Sequence, residues 1–217
     1  AGQQEGSTLG NGRATALAFA RHGAKVMCVG KERSPYFRRR RLDSMRVSIA
    51  DSNAESARET SEMIVAEGGA AGFCEANVTS EADCSNAVDE CIRAFGGVDI
   101  LHNNVGIATG DGTSTEVDWA QYLKIMEVNL HGSLLMCRAV LPSFREQQHG
   151  SIINVSSIGS VLTLPSGGGG GFGYKLSKAG INSMTQNLAI ENAEHGIRVN
   201  AILPGLMDTP MSVERRA

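Results

Sequence analysis

The feature that most constrains the fold is an alternation of short apolar runs with longer stretches of helical period. The runs AKVMCV (24–29), GFCEANV (72–78), VDILHNN (98–104), SIINVSS (151–157) and IRVNAIL (197–203) are rich in apolar and β-branched residues and read as strands. Between them, GRATALAFARHG, NAESARETSEMIVAEGG, SEADCSNAVDECIRAFGG and FGYKLSKAGINSMTQNLAIENAEHG read as helices, three of them closed by Gly at or near the C-cap. The stretch from Trp119 to Gln147 also reads as mostly helix, with Pro142 near its end. Strands apolar on both faces and separated by helices imply an α/β fold, a doubly wound parallel sheet covered on both sides in three α/β/α layers. A length of 217 residues suits one such domain, 1–217, with a substantial core.

In sheets of this kind ligands bind beyond the carboxyl ends of the strands. The residues after each run are accordingly distinctive. NNVG (103–106) follows the third run, SSIG (156–159) the fourth and Pro204-Gly205 the fifth. Near the N-terminus, GQQEGSTLGNGRATALAFARHG is a glycine-rich stretch that runs into a helix. There Gly10 and Gly12 would let backbone approach a pyrophosphate, although glycines also make ordinary turns. In FGYKLSKAGINSM (172–184), Tyr174 and Lys178 stand four positions apart, on one face if the segment is helical. In isolation this pair is as compatible with a solvated helix contact as with chemistry.

Other classes of function find little support. A net charge of −3, from 20 basic and 23 acidic residues, gives no general drive toward nucleic acid or a membrane surface. No apolar run reaches the roughly 18 residues of a spanning helix. Five histidines are scattered without an HExxH, which gives no metal-site signal, and five cysteines without a CxxC suit a reduced, cytoplasmic protein. The Asn-x-Ser/Thr triplets at Asn77 and Asn154 fall within expected buried strands and read as chance.

Taken together, the loop ending Gly10-Asn11-Gly12, NNVG, VNLHG with Asn129, IINVSS with Ser157, YKLSK and IRVNAILPG resemble the short-chain dehydrogenase/reductase family in its single-domain, Rossmann-like form. The resemblance covers nearly the whole chain, in the family's order. It implies a catalytic tetrad of Asn129, Ser157, Tyr174 and Lys178, serving hydride transfer between a nicotinamide cofactor and an alcohol or carbonyl. Lys178 would favour the Tyr174 phenolate, whose ordinary pKa near 10 is too high for easy proton exchange at neutral pH. Ser157 would hold the substrate oxygen and Asn129 a relay water. The implied cofactor contacts are Gly2, Gly10, Asn11, Gly12, Asp51, Asn77, Val78, Asn104, Val105, Gly106, Tyr174, Lys178, Pro204, Gly205 and Thr209. A homotetramer or homodimer packed through the helices at 119–147 and 174–193 is also implied, as is a small-molecule substrate.

Four departures from the family pattern stand out. The chain begins inside the glycine loop, so the family's first strand is expected to be absent and a central slot of the sheet empty. It stops soon after PGLMDTPM, where substrate-covering segments would follow. The segment GKERSPYFRRRRLDSMR (30–46) interrupts the second strand unit and reads as an insertion or loop, with VSIADSNAESARET carrying that unit's ending and helix. Asp51 then fits the ribose acceptor by context and Glu32, 20 positions after Gly12, by spacing; the resulting expectation is NAD(H) over NADP(H). The run of four arginines suggests NADP or nucleic acid, or simply a solvated loop. Finally, SGGGGGFG (166–173) stretches the Ser157–Tyr174 interval to 17 positions, more than the family usually has, as a surface insertion would. Alternatives are a dinucleotide-binding or oligomer-forming remnant without turnover, or an epimerase or dehydratase of the extended form of the family.

Overall fold

Each strand of a parallel sheet needs a ladder partner for both rows of its backbone groups unless it lies at an edge. The computed structural model describes residues 9–30, 46–50, 54–108, 110–113, 115–162 and 171–209, and meets this demand with six parallel strands. They are β1 (Lys25–Gly30), β2 (Arg46–Ala50), β3 (Ala70–Glu75), β4 (Ile100–Asn103), β5 (Gly150–Val155) and β6 (Ile197–Ile202), in the spatial order β3-β1-β2-β4-β5-β6. The helices are α1 (Asn11–Arg21), α2 (Ala54–Ala66), α3 (Glu81–Phe95), α4 (Trp119–Met126), α5 (Gly132–Gln147) and α6 (Phe172–Asn192). A π-helical turn, Glu127–His131, joins α4 to α5.

The alternation of β1 shows why three layers form. Val26 and Cys28 join Ala16, Leu17, Ala57 and Ile64 in one core, beneath α1 and α2. Met27 and Val29 join Val88, Leu101, Met136, Phe144 and Ile152 in the other, beneath α3, α5 and α6. All five cysteines are buried in these cores. Burial pushes the Cys74 and Cys84 thiols up to about 11 and those of Cys91 and Cys137 up to about 12. Among the described residues no helix is long and apolar enough to cross a membrane.

The expected empty slot is filled. Residues 46–50, expected to be the tail of the second strand unit, form a separate strand. It pairs with β1 from Lys25↔Arg46 to Val29↔Ala50, and with β4 from Val47↔Ile100 to Ala50↔Asn103. The reason is the ladder requirement itself: an open slot would orphan backbone groups on two neighbours, at roughly 1–3 kcal/mol each. Arg46 secures the start of the strand. Its backbone N and Nε donate to Asp99 Oδ2 (2.8 and 2.9 Å), and a terminal guanidinium nitrogen donates to Asp99 Oδ1 (2.7 Å). Burial alone would raise the Asp99 carboxyl, but the bonds from Arg46 outweigh it and hold that carboxyl low. Residues 31–45 lie outside the described residues, while Gly30 closes β1 and Arg46 opens β2, so both ends of the supposed insertion belong to the sheet. A smaller correction concerns β3, which ends at Glu75 and leaves Asn77 in the following turn. There its Oδ1 accepts from Thr79 N and Oγ1, an Asx turn that competes with strand continuation.

His102 of β4 is buried edge-on to Phe19 of α1, with ring centroids 6.4 Å apart. Its Nδ1 has no partner among the described residues, and burial pushes its pKa down to about 4. The unfolded chain, with an ordinary histidine near 6.5, therefore takes up this proton first. The contribution is intact above about pH 6.5 and is lost progressively toward pH 4, to a total of about 3 kcal/mol. His102→Leu should flatten that part of the stability–pH curve. Urea melts of both proteins between neutral and mildly acid pH check this, and identical acid slopes would count against it.

Candidate active site

Because all six strands are parallel, their carboxyl ends share one edge of the sheet. α1 runs back against β1, so its first turn faces the same edge, with Gly10 as an extended N-cap and Asn11 and Gly12 inside the helix. The first N–H groups of a helix have no partner within it, and they carry the positive end of its dipole. Asn104, Val105 and Gly106 follow β4, and Ser157 follows β5. Ser156 N donates to Ile202 O (2.8 Å) and Ile158 N to Pro204 O (3.0 Å), which joins the turn after β5 to the one after β6. Pro204, Gly205 and the buried Thr209 all follow β6. Asn77 and Val78 sit in the turn after β3 at this edge. Gly2 and Asp51 lie outside the described residues.

Tyr174 and Lys178 both stand on α6. Lys178 is only 3 % exposed; its Nζ donates to Val155 O at 2.7 Å and lies 5.7 Å from the centre of the Tyr174 ring. Burial pushes the ammonium down to about 8, so it stays mainly protonated at neutral pH. Asn129 sits in the π-helical turn and is fully buried. Its Oδ1 accepts from Ile107 N (2.8 Å), while Nδ2 donates to Ile107 O (2.9 Å) and Ser177 Oγ (3.1 Å). The amide thus clamps the chain just after NNVG to the helix carrying the Tyr–Lys pair. Gly106 completes the contact: a Cβ there would stand 3.2 Å from Lys178 Nζ and 3.7 Å from Asn129 Oδ1. Ser157 is half-buried, and its Oγ accepts from Gly159 N (3.1 Å). Gly106 therefore lies against both Lys178 and Asn129, with Tyr174 one turn from the lysine.

Several residues of this neighbourhood were not expected as site residues from the sequence. Ser156 Oγ donates to the Lys178 carbonyl (2.9 Å). Asn103 Nδ2 donates to Asn154 Oδ1 (2.9 Å), and Asn154 Nδ2 to Thr185 Oγ1 (2.9 Å). The available signal was an amide inside an otherwise apolar strand, twice. Asp111, in the loop before α4, is fully buried against the start of α6. Among the described residues no cluster of three or more His, Cys, Asp or Glu is placed to hold a metal ion.

Fold and site define a dinucleotide-type α/β domain with a Tyr–Lys pair at the carboxyl edge of its sheet. A family model for short chain dehydrogenases matches residues 38–217. The 3beta-hydroxysteroid dehydrogenase 1 of Eggerthella lenta is 36% identical over 214 residues, 98% of this chain and 72% of that protein. The 7alpha-hydroxysteroid dehydrogenase of Clostridium sardiniense is 34% identical over 210 residues, 96% and 71% of the two. A crystal structure from Burkholderia xenovorans, described as a short-chain dehydrogenase/reductase, superposes with a TM-score of 0.80 at 32% identity, covering 99% of this chain and 76% of that one. The chain belongs to the short-chain dehydrogenase family, whose members are oxidoreductases that use nicotinamide cofactors.

Gly106→Ala tests the packing. The added methyl would press on the lysine from a fixed backbone position, so Lys178 must shift. Turnover should fall by about tenfold or more for a displacement well under 1 Å, with little change in melting temperature. Wild-type rates from a folded Gly106→Ala protein would show that the contact places nothing.

Proposed function

We propose that the protein interconverts a secondary alcohol and the corresponding carbonyl of a small molecule with NAD(H), with Tyr174 as general acid and base. The observation that carries this reading is the buried Lys178 ammonium, fixed on Val155 O and held 5.7 Å from the Tyr174 ring. A positive charge so placed attracts the negative charge that develops as a proton leaves this neighbourhood, and the exclusion of water around the buried lysine strengthens that attraction.

The residues present fit a nicotinamide cofactor: a glycine-bounded helix start at Gly10–Gly12 on the carboxyl edge, and a Gly106 that packs without a side chain against Lys178. When bound, it supplies or accepts the hydride. The rest falls to the chain. Tyr174 Oη gives its proton to the developing alkoxide, or takes one in the reverse direction. Ser157 Oγ hydrogen-bonds the substrate oxygen. Lys178, with one donor committed to Val155 O, has donors left for ribose hydroxyls. Asn129 keeps the 106–107 backbone against the lysine, and the relay water implied by family resemblance would be a second role for it. The alternative of a binding or oligomer-forming protein without turnover loses one of its two motives, the empty sheet slot, since β2 fills it.

The relatives named above act on hydroxysteroids, which supports a secondary hydroxyl on an apolar small molecule as the substrate class. A homodimer or homotetramer fits the exposed Trp119, Leu123, Phe172 and Leu176 on α4 and α6. For the choice of cofactor, strand order favours Glu32 over Asp51 as ribose acceptor. In dinucleotide folds the acidic residue follows the strand beside the central one; β1 has that place and ends at Gly30, whereas 51 follows the central β2. Both acids lie outside the described residues.

With a panel of steroid and simpler ketones, Tyr174→Phe should lose 10²–10⁴-fold in kcat, roughly the worth of a positioned acid, and retain cofactor affinity. Undiminished turnover by Tyr174→Phe would remove the assignment. Glu32→Ala should lower the NADH/NADPH ratio of kcat/KM by about tenfold or more, and Asp51→Ala should leave it nearly unchanged; the reverse result would restore Asp51.

A further inference from the structure

The helix that carries Tyr174 and Lys178 starts without a cap of its own: its N-cap residue is Gly171, which has no side chain to offer. A helix start leaves N–H groups unpaired, and burying them without partners is costly. Here the partner comes from elsewhere in the chain. Asp111 is fully buried, and its Oδ2 accepts from Gly173 N, the residue before Tyr174. Its Oδ1 has no partner among the described residues and lies against Gly171. A Cβ at 171 would collide with Asp111 Oδ1, and one at 173 would stand 2.9 Å from Oδ2 and 2.8 Å from Tyr122 Cδ2. The last two glycines of SGGGGGFG are therefore required by Asp111 and Tyr122. Asp111 is itself fixed, because its carbonyl accepts from Asp118 N (2.8 Å) and Asp118 caps α4 through Ala120 N and Gln121 N.

We propose that Asp111 is a positioning residue for the reaction: a remote N-cap through which the loop after β4 sets the start of α6 and thereby the Tyr174 phenol. The loop that leaves NNVG at the cofactor edge and the helix that bears the proton donor are then tied by one carboxylate. A negative charge at a helix start also suits the dipole. This inference rests on Tyr174 being the proton donor, and the experiment separates the two.

Asp111→Ala and Asp111→Asn are compared with wild type in steady-state kinetics and in backbone amide exchange. Asp111→Ala should lower kcat by about ten- to a hundredfold, as a misplaced group does, with KM and cofactor Kd within about twofold. Asp111→Asn keeps an acceptor oxygen and should recover most of that loss. Wild-type kcat in Asp111→Ala, or a loss shared equally by KM, cofactor Kd and melting temperature, would overturn the proposal. If Asp111→Ala does not fold, Asp111→Ser, whose shorter side chain cannot span to Gly173 N, takes its place: a fall in kcat at constant KM supports the proposal, and unchanged kcat overturns it. If wild type reduces no substrate, the proposed function fails, and exchange still reads the cap. The amides at 173–175 should then exchange at least about tenfold faster in Asp111→Ala while those at 181–190 keep their protection, and equal protection at 173–175 in that variant would refute the cap.

Discussion

A parallel sheet tolerates no vacant interior row, and the slot between β1 and β4 is the constraint on which this molecule depends. β2 fills it with five residues, and everything at the carboxyl edge follows from the alignment that results. The closure is made at the opposite end. Arg46 and Asp99 lock the amino ends of β2 and β4 together, and His149 Nε2 lies 3.3 Å from the same carboxylate. Parallel pairing then carries that alignment along the strands to Ala50, Asn103 and Val155, where the candidate site begins.

A second layer of order lies beneath the site. Asn103 and Asn154 face each other across the β4–β5 ladder, and their amides pair with one another, with Ser133 O on α5 and with Thr185 on α6. Ser133 Oγ in turn donates to Asn129 O. Apolar side chains in this position would pack as well but would accept several strand and helix settings; buried amides accept few, because a slip would leave polar atoms unpaired in a low dielectric. Asn129 is thus tied through Ser133 to a floor whose geometry is fixed by hydrogen bonds.

Much of this was legible in the sequence. Helical period and glycine stops located α1, α2, α3 and α6 to within a few residues, since an amphipathic stripe is a strong local signal. The Tyr174–Lys178 spacing and the residues after β4, β5 and β6 led to the same edge that the structure assembles. What was not legible is non-local. The strand 46–50 is too short and too near a helix to stand out, and only the demand of two distant neighbours makes it a central strand. Asn129 gave no hint that its amide would grip the backbone of Ile107, 22 positions away. Asp111 drew no reading from the sequence, because its partner lies across the fold at Gly173.

The distribution of cysteines has a practical consequence. Five thiols are buried in the two cores: Cys28 on the side of α1 and α2, and Cys74, Cys84, Cys91 and Cys137 on the side of α3, α5 and α6. A thiol modified only as thiolate, and reached only from water, stays silent while its layer is closed. The protein therefore carries an internal set of opening reporters, one for the first layer and four for the second. Timed alkylation followed by peptide mass analysis would show which layer breathes first, without a single engineered label.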